Sequence, residues 1–135
     1  MKARDIMTQN VMMINEGISV AEAVTTMIEN KVSSLIVNRI NEDDSYGIIT
    51  RRDIVNKVVS EGLDPQKLKV ADIMTKPLLT IPPNLSIQHV ARLMVHTGVR
   101  RMPVFDSRKI IGIVSNSDIF RGFNRYLSDE NAFLS

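Results

Sequence analysis

Cysteine is absent from all 135 residues, which removes disulfides and thiolate metal sites together. Histidine is scarce: His89 and His96 are too few for a histidine-rich metal centre. They stand seven apart in one predicted helix and read as surface or core-edge residues. No apolar run approaches the roughly 18 residues of a membrane helix, and the N-terminus has no signal-peptide core. A soluble, cytoplasmic protein without a membrane partner is expected. A strong excess of one charge is also missing. Lys and Arg total 17 against 15 Asp and Glu, a net charge of +2, well short of a polycationic nucleic-acid binder. No Ser/His/Asp set, carboxylate pair in a cleft or P-loop can be assembled, so no catalytic residue, catalytic cofactor or metal is expected, and the chain does not read as an enzyme.

What remains is ordinary globular composition, 44% hydrophobic and 24% charged, in a chain long enough for one real core. The eight methionines fall mostly in apolar pattern positions and read as core fillers.

The sequence is one unit written twice. Asp5-Ile6-Met7-Thr8 returns as Asp72-Ile73-Met74-Thr75, 67 residues on, and Ser19, Met27, Val32 and Val37 return at the same offset. Gly47-Ile48-Ile49-Thr50-Arg51-Arg52-Asp53 returns as Gly112-Ile113-Val114-Ser115-Asn116-Ser117-Asp118 at an offset of 65. The second copy therefore has a loop two residues shorter. The expected domains are 1–66 and 67–135, the second with a C-terminal helical extension.

Each copy reads as β-α-β-β-α. Ser19 and Ser86 cap helices whose apolar faces are Val20, Ala23, Val24, Met27, Ile28 and Ile87, Val90, Ala91, Met94, Val95. Strands Leu35–Val37 and Met102–Phe105 follow, and a polar loop leads each into a second strand. That strand ends in the Gly-containing corner. A last helix runs from Arg52 to Ser60, or from Ser117 to about Leu127. One copy alone leaves an apolar sheet face bare. Two copies packed through their sheets would give one pseudo-symmetric α/β module.

At the corner, Thr50 or Ser115 stands at a helix N-cap and Asp53 or Asp118 at N3. Helix capping, worth about 1 kcal/mol each, explains the pair by itself. The free N–H groups and the positive end of the dipole also suit a phosphate. Arg51, Arg52, Arg100, Arg101, Arg108 and Lys109 read either as solvated surface or as a basic patch. No aromatics interleave with them, so stacking platforms for single strands are missing. Phe120, Phe123 and Tyr126 share one helical face and, with Phe133, hold four of the six aromatics. Core packing and a dimer contact both fit that face.

The ordered set resembles a tandem pair of CBS domains, the Bateman module. It comprises the Asp-Ile-Met-Thr openings, the Ser-Val-x-Glu-Ala helix start, Gly98-Val99-Arg100-Arg101-Met102-Pro103-Val104 and the two corners. These cover about nine-tenths of the chain, and no catalytic domain is attached, which reads as a stand-alone module. The resemblance implies that Thr50 and Ser115 contact phosphate and that Asp53 and Asp118 take the ribose hydroxyls. It also implies that Thr80 meets adenine and that Arg100 and Arg101 sit near phosphate. The base would lie against Val11–Ile14 or Leu78–Ile81. The first copy has Met13, Ser33 and Ser34 at the places of Thr80, Arg100 and Arg101, so the cleft holding Asp118 is expected to be the tighter. The function implied is a regulatory module. It would sense an adenosine-containing ligand (AMP, ADP, ATP or S-adenosylmethionine), act as a homodimer and signal to a regulated protein. The alternatives are nucleic-acid binding through the Arg-rich patch and an interaction module with vestigial pockets.

Overall fold

Ser19 Oγ accepts the Glu22 N–H at 3.1 Å and Ser86 Oγ accepts the His89 N–H at 3.3 Å, so both helices start where their serines predict. The structure is a computed structural model and describes residues 1–128. In chain order its elements are α1 (Ala3–Ile6), β1 (Met13–Ile14), α2 (Val20–Asn30), β2 (Ser34–Val37), β3 (Gly47–Thr50), α3 (Arg51–Ile54), α4 (Val70–Ile73), α5 (Ile87–Thr97), β4 (Arg101–Phe105), β5 (Ile110–Ser115) and α6 (Asn116–Ser128). Helix α3 passes directly into a π-helical turn, Val55–Val59, which the sequence pattern does not announce. Phe133 lies outside the described residues.

The two serine-capped helices end alike by different means. Gly98 closes α5 with φ 73°, a left-handed conformation that suits glycine. Lys31, its counterpart, closes α2 with φ 55° while carrying a side chain.

Two compact units form, and each draws on both copies of the repeat. One is Met12–Leu78; the other is Met1–Val11 with the chain from Leu79 onward. In the first, β1 runs parallel to β2 (Met13 beside Ile36) and β2 antiparallel to β3 (Ile36 beside Ile48). The opposite edge of β3 bridges Ile48 to Thr75, from the second Asp-Ile-Met-Thr. In the second unit, β4 pairs antiparallel with β5, Ile81 bridges Val104, and Thr8 bridges Ile113. Each hairpin thus lies between the extended stretch before its own serine-capped helix or linker and the opening motif that begins the other copy. Within 78–81 only Ile81 bonds to β4, its N–H donating to the Pro103 carbonyl at 2.9 Å and its carbonyl accepting from Phe105 at 2.8 Å, while the Leu78 N–H donates to the Tyr46 carbonyl at 2.8 Å. Pro77 and Pro82 bracket this stretch without an N–H to donate.

The opening motif also explains the corner glycines. A Cβ on Gly112 would lie 2.5 Å from Met7 Sδ, and one on Gly47 would lie 3.1 Å from both Met74 Sδ and the Thr75 carbonyl. The Met of each opening motif crosses the Gly of one corner: a Cβ would force Met7 to shift at Gly112, and at Gly47 would press Met74 and the Thr75 carbonyl by a few tenths of an ångström.

Each unit has its own core. One gathers Val20, Ala23, Met27, Leu35, Val37, Ile49, Ile54, Val58, Val70 and Ile73; the other gathers Ala3, Ile81, Val90, Met94, Met102, Val104 and Val114. All eight methionines are buried or half-buried, as their pattern positions predict. The predicted helix faces are wider than the cores they serve. Ile28 and Val95, their outer edges, are 72% and 82% exposed.

Candidate functional site

Each corner is a strand end turned into a helix start. At the second, the Ser115 N–H donates to Asp118 Oδ2 at 2.8 Å and the Asp118 N–H donates back to Ser115 Oγ at 3.1 Å. At the first, Thr50 N–H to Asp53 Oδ2 and Asp53 N–H to Thr50 Oγ1 are both 3.0 Å. The reciprocal bonds of a capping box are complete in both. They fix the carboxylates through Oδ2 and leave Oδ1 outside the box.

What meets Oδ1 differs between the corners. At Asp118 the Arg121 guanidinium donates to it through Nη2, one helical turn on. At Asp53 the Lys57 ammonium forms only a long ion pair at 3.5 Å, and its hydrogen bond goes instead to the Ile73 carbonyl at 2.9 Å. The Asp118 side chain is 6% exposed and that of Asp53 18%. Neither cation is part of the duplicated motif. The Asp-to-Arg spacing of three on a helix was nonetheless a readable signal.

The second unit assembles most of the expected site. Arg101 is the register partner of Ser115, and the Asn116 N–H donates to the Arg100 carbonyl at 2.9 Å. Arg100, Arg101, Ser115 and Asp118 therefore meet at one end of the β4–β5 hairpin. Thr80 precedes Ile81 and flanks β4 from its other edge, half-buried. Arg108 and Lys109 are not with them. They sit on the hairpin turn, beyond the far end of β4, about 13 Å of strand away. Their N–H groups both donate to Asp106 Oδ1 at 2.9 Å, and these bonds hold the Asp106 carboxyl below its usual range. The basic residues grouped in the sequence are thus divided between opposite hairpin ends. In the first unit Thr50 and Asp53 stand beside exposed Arg51 and Arg52, and the Arg51 N–H donates to the Ser33 carbonyl at 2.9 Å.

Elsewhere in the first unit, Lys76 Nζ lies 2.7 Å from Asp44 Oδ1 and 3.6 Å from Glu16 Oε2. The hydrogen bond from Lys76 lowers the Asp44 pKa, and the same bond raises that of Lys76. His89 and His96 are exposed, and among the described residues no three His, Cys, Asp or Glu side chains gather as a metal site. No helix among them is long and apolar enough to cross a membrane.

The aromatic face of α6 points outward. Phe120 is 73% exposed and Phe123 46%, with Phe123 and Tyr126 ring centroids 5.8 Å apart. Phe120 and Phe123, with Val95, Val99 and Ile119, border a groove of about 760 Å³ between α5 and α6.

Comparison with known proteins agrees with this architecture. The CBS domain family matches residues 3–60 and again 70–125. The uncharacterized protein MK0525 of Methanopyrus kandleri is 39% identical over 102 residues, which are 74% of this chain; the chain spans 51% of that relative's length. The hexameric CBS-CP12 protein from bloom-forming cyanobacteria superposes with TM-score 0.86 at 42% identity, covering 96% of this chain and 75% of that one. The CBS domain pair of protein MJ0100, solved with 5′-methylthioadenosine and S-adenosylmethionine, superposes with TM-score 0.75 at 28% identity, covering 91% and 99%. Two family matches in tandem, on the two copies found in the sequence, place the chain in the CBS domain family as a CBS pair.

Proposed function

We propose that the chain is a regulatory, non-catalytic module that binds an adenosine-containing ligand (AMP, ADP, ATP or S-adenosylmethionine) and passes its occupancy to a partner protein in the cytoplasm. The observation that carries this reading is the meeting of Arg100, Arg101, Ser115 and Asp118 at one hairpin end. There two exposed arginines and a helix start suit phosphate, and a carboxylate suits a 2′,3′-diol. Thr80 supplies a polar edge for the base. Thr50 and Asp53 offer the same corner in the first unit. The adenosine-type ligands in the MJ0100 complex support the choice of ligand class. Binding one conformation in preference to another is all that such a module needs in order to signal.

The test is a thermal-shift series with AMP, ADP, ATP, S-adenosylmethionine and GMP. At about 100 times Kd an adenosine ligand adds roughly 2.7 kcal/mol, several degrees for this size. Millimolar adenosine compounds that leave the transition unmoved would remove the reading.

The same module is proposed to work as a homodimer. Val95, Phe120 and Leu127 are each more than 60% exposed on the α5–α6 face, and a symmetric pair would cover the same patch twice. Sedimentation at micromolar concentration should give about twice 15.2 kDa; a monomer there would reject it.

A further inference from the structure

The carboxylate assigned to the ribose is already engaged. Asp118 Oδ2 is held by the Ser115 N–H, and Oδ1 accepts from Arg121. We propose that Arg121 is an internal competitor for the ligand: its guanidinium occupies the position on Asp118 that a ribose diol would take, and it sets the affinity of that site. The inference rests on the ligand reading above and deepens it.

Three observations carry it. First, the two partners differ in freedom. The Asp118 side chain is 6% exposed and pinned through its other oxygen, whereas Arg121 is 68% exposed. The guanidinium can therefore swing into water while the carboxylate stays. Second, the contact covers the very oxygen that a ligand must reach, consistent with the exposure of Asp118 below that of Asp53. Third, the other corner serves as an internal control. There Lys57 gives its hydrogen bond to the Ile73 carbonyl and stands off Asp53 Oδ1 at 3.5 Å. One corner is latched and the other is not, although the duplicated motif is the same in both.

Ligand binding at Asp118 is then an exchange of donors. The ribose hydroxyls replace the guanidinium, and the buried carboxylate always keeps a partner. The exchange lowers net affinity by what the exposed ion pair is worth. Removing the guanidinium should return that amount, roughly two- to fivefold in Kd for a pair this exposed.

Calorimetry with AMP on the full chain tests this. Arg121→Ala and Arg121→Gln should each tighten AMP binding by about two- to fivefold. Arg121→Lys keeps the cation and should stay near wild type. 2′-Deoxy-AMP, which lacks half of the diol, should gain less from Arg121→Gln than AMP does. The gain should vanish when Asp118→Ala is added. If Asp118→Ala weakens AMP binding while Arg121→Ala and Arg121→Gln bind no tighter than wild type, the latch is overturned and the ligand site stands. If neither wild type nor Arg121→Gln binds AMP, the latch and AMP as the ligand of this site fall together.

Discussion

A methyl group added at Gly112 would fall 2.5 Å from Met7 Sδ, 2.8 Å from its Cγ and 3.1 Å from its Cβ. Favourable carbon contacts begin near 3.5 Å, so Gly112→Ala forces Met7 to turn away or the opening motif to lift off β5. Thr8 limits the second course, because it exchanges two backbone hydrogen bonds with Ile113, at 2.8 and 2.9 Å. Overpacking of this kind costs about 1–3 kcal/mol. For a chain of this length each kcal/mol shifts Tm by about 3–5 °C. Urea denaturation followed by circular dichroism measures the change directly. The decisive variant is Gly112→Ala/Met7→Ala, which removes the Sδ and Cγ clashes and keeps only the 3.1 Å approach to Cβ. It should be more stable than the sum of the single changes by about 1 kcal/mol or more. Gly47→Ala should behave differently, because one of its obstacles is the main-chain carbonyl of Thr75, 3.1 Å away. Met74→Ala therefore rescues it only in part. A Gly112→Ala protein as stable as wild type, or single changes additive within about 0.5 kcal/mol, would refute the claim that glycine is there for methionine.

Lys31→Gly should raise stability by about 1 kcal/mol, because it relieves a left-handed backbone at φ 55°, while Gly98→Ala at φ 73° should cost about as much; thermal melts of both variants check the pair. Asp44, lowered by its bond to Lys76, contributes stability above its ordinary pKa of 3.8 that is lost as pH falls through its folded value; Lys76, raised by the same bond, contributes stability below 10.5 that is lost as pH rises through its own. Asp44→Asn should accordingly flatten both the acid and the alkaline limbs of a stability profile, and unchanged limbs would count against the pair. In calorimetry with AMP, Asp118→Ala should abolish the tighter of two events and Asp53→Ala the weaker, since Thr80, Arg100 and Arg101 all belong to the unit of Asp118; equal losses would contradict that order.

The repeat, the helix starts and the corner were legible in the sequence because each is written in local terms. Ser19, Ser86, Thr50 and Ser115 announce their caps through what lies three residues on. The assignment of Met1–Val11 to the unit of the second hairpin was not legible, since no local pattern encodes which sheet edge a short segment joins. The outward turn of Ile28 and Val95 escaped for a related reason. A stripe of apolar residues gives the width of a face but not how much of it the core consumes. At the site, residue types showed which groups could meet a phosphate and a diol. Whether a second side chain already held the carboxylate depended on rotamers, and there Arg121 and Lys57 part company.

The pairing of Thr8 with Ile113 has a consequence for the order in which the protein takes shape. Residues 12–78 are consecutive, so that unit can close as soon as they leave the ribosome. The segment Met1–Val11 is made before them, yet Ile113, the partner of Thr8, is encoded more than a hundred residues downstream of it. Throughout that interval Ala3, Ile6 and Met7 have no core to enter, because the core they complete consists of residues not yet translated. The second unit is thus the slow one, delayed by a long loop closure rather than by weak local propensity. A newborn chain at that stage presents residues 1–11 as an unpaired, partly apolar segment for a chaperone, or for a neighbouring nascent copy, to bind.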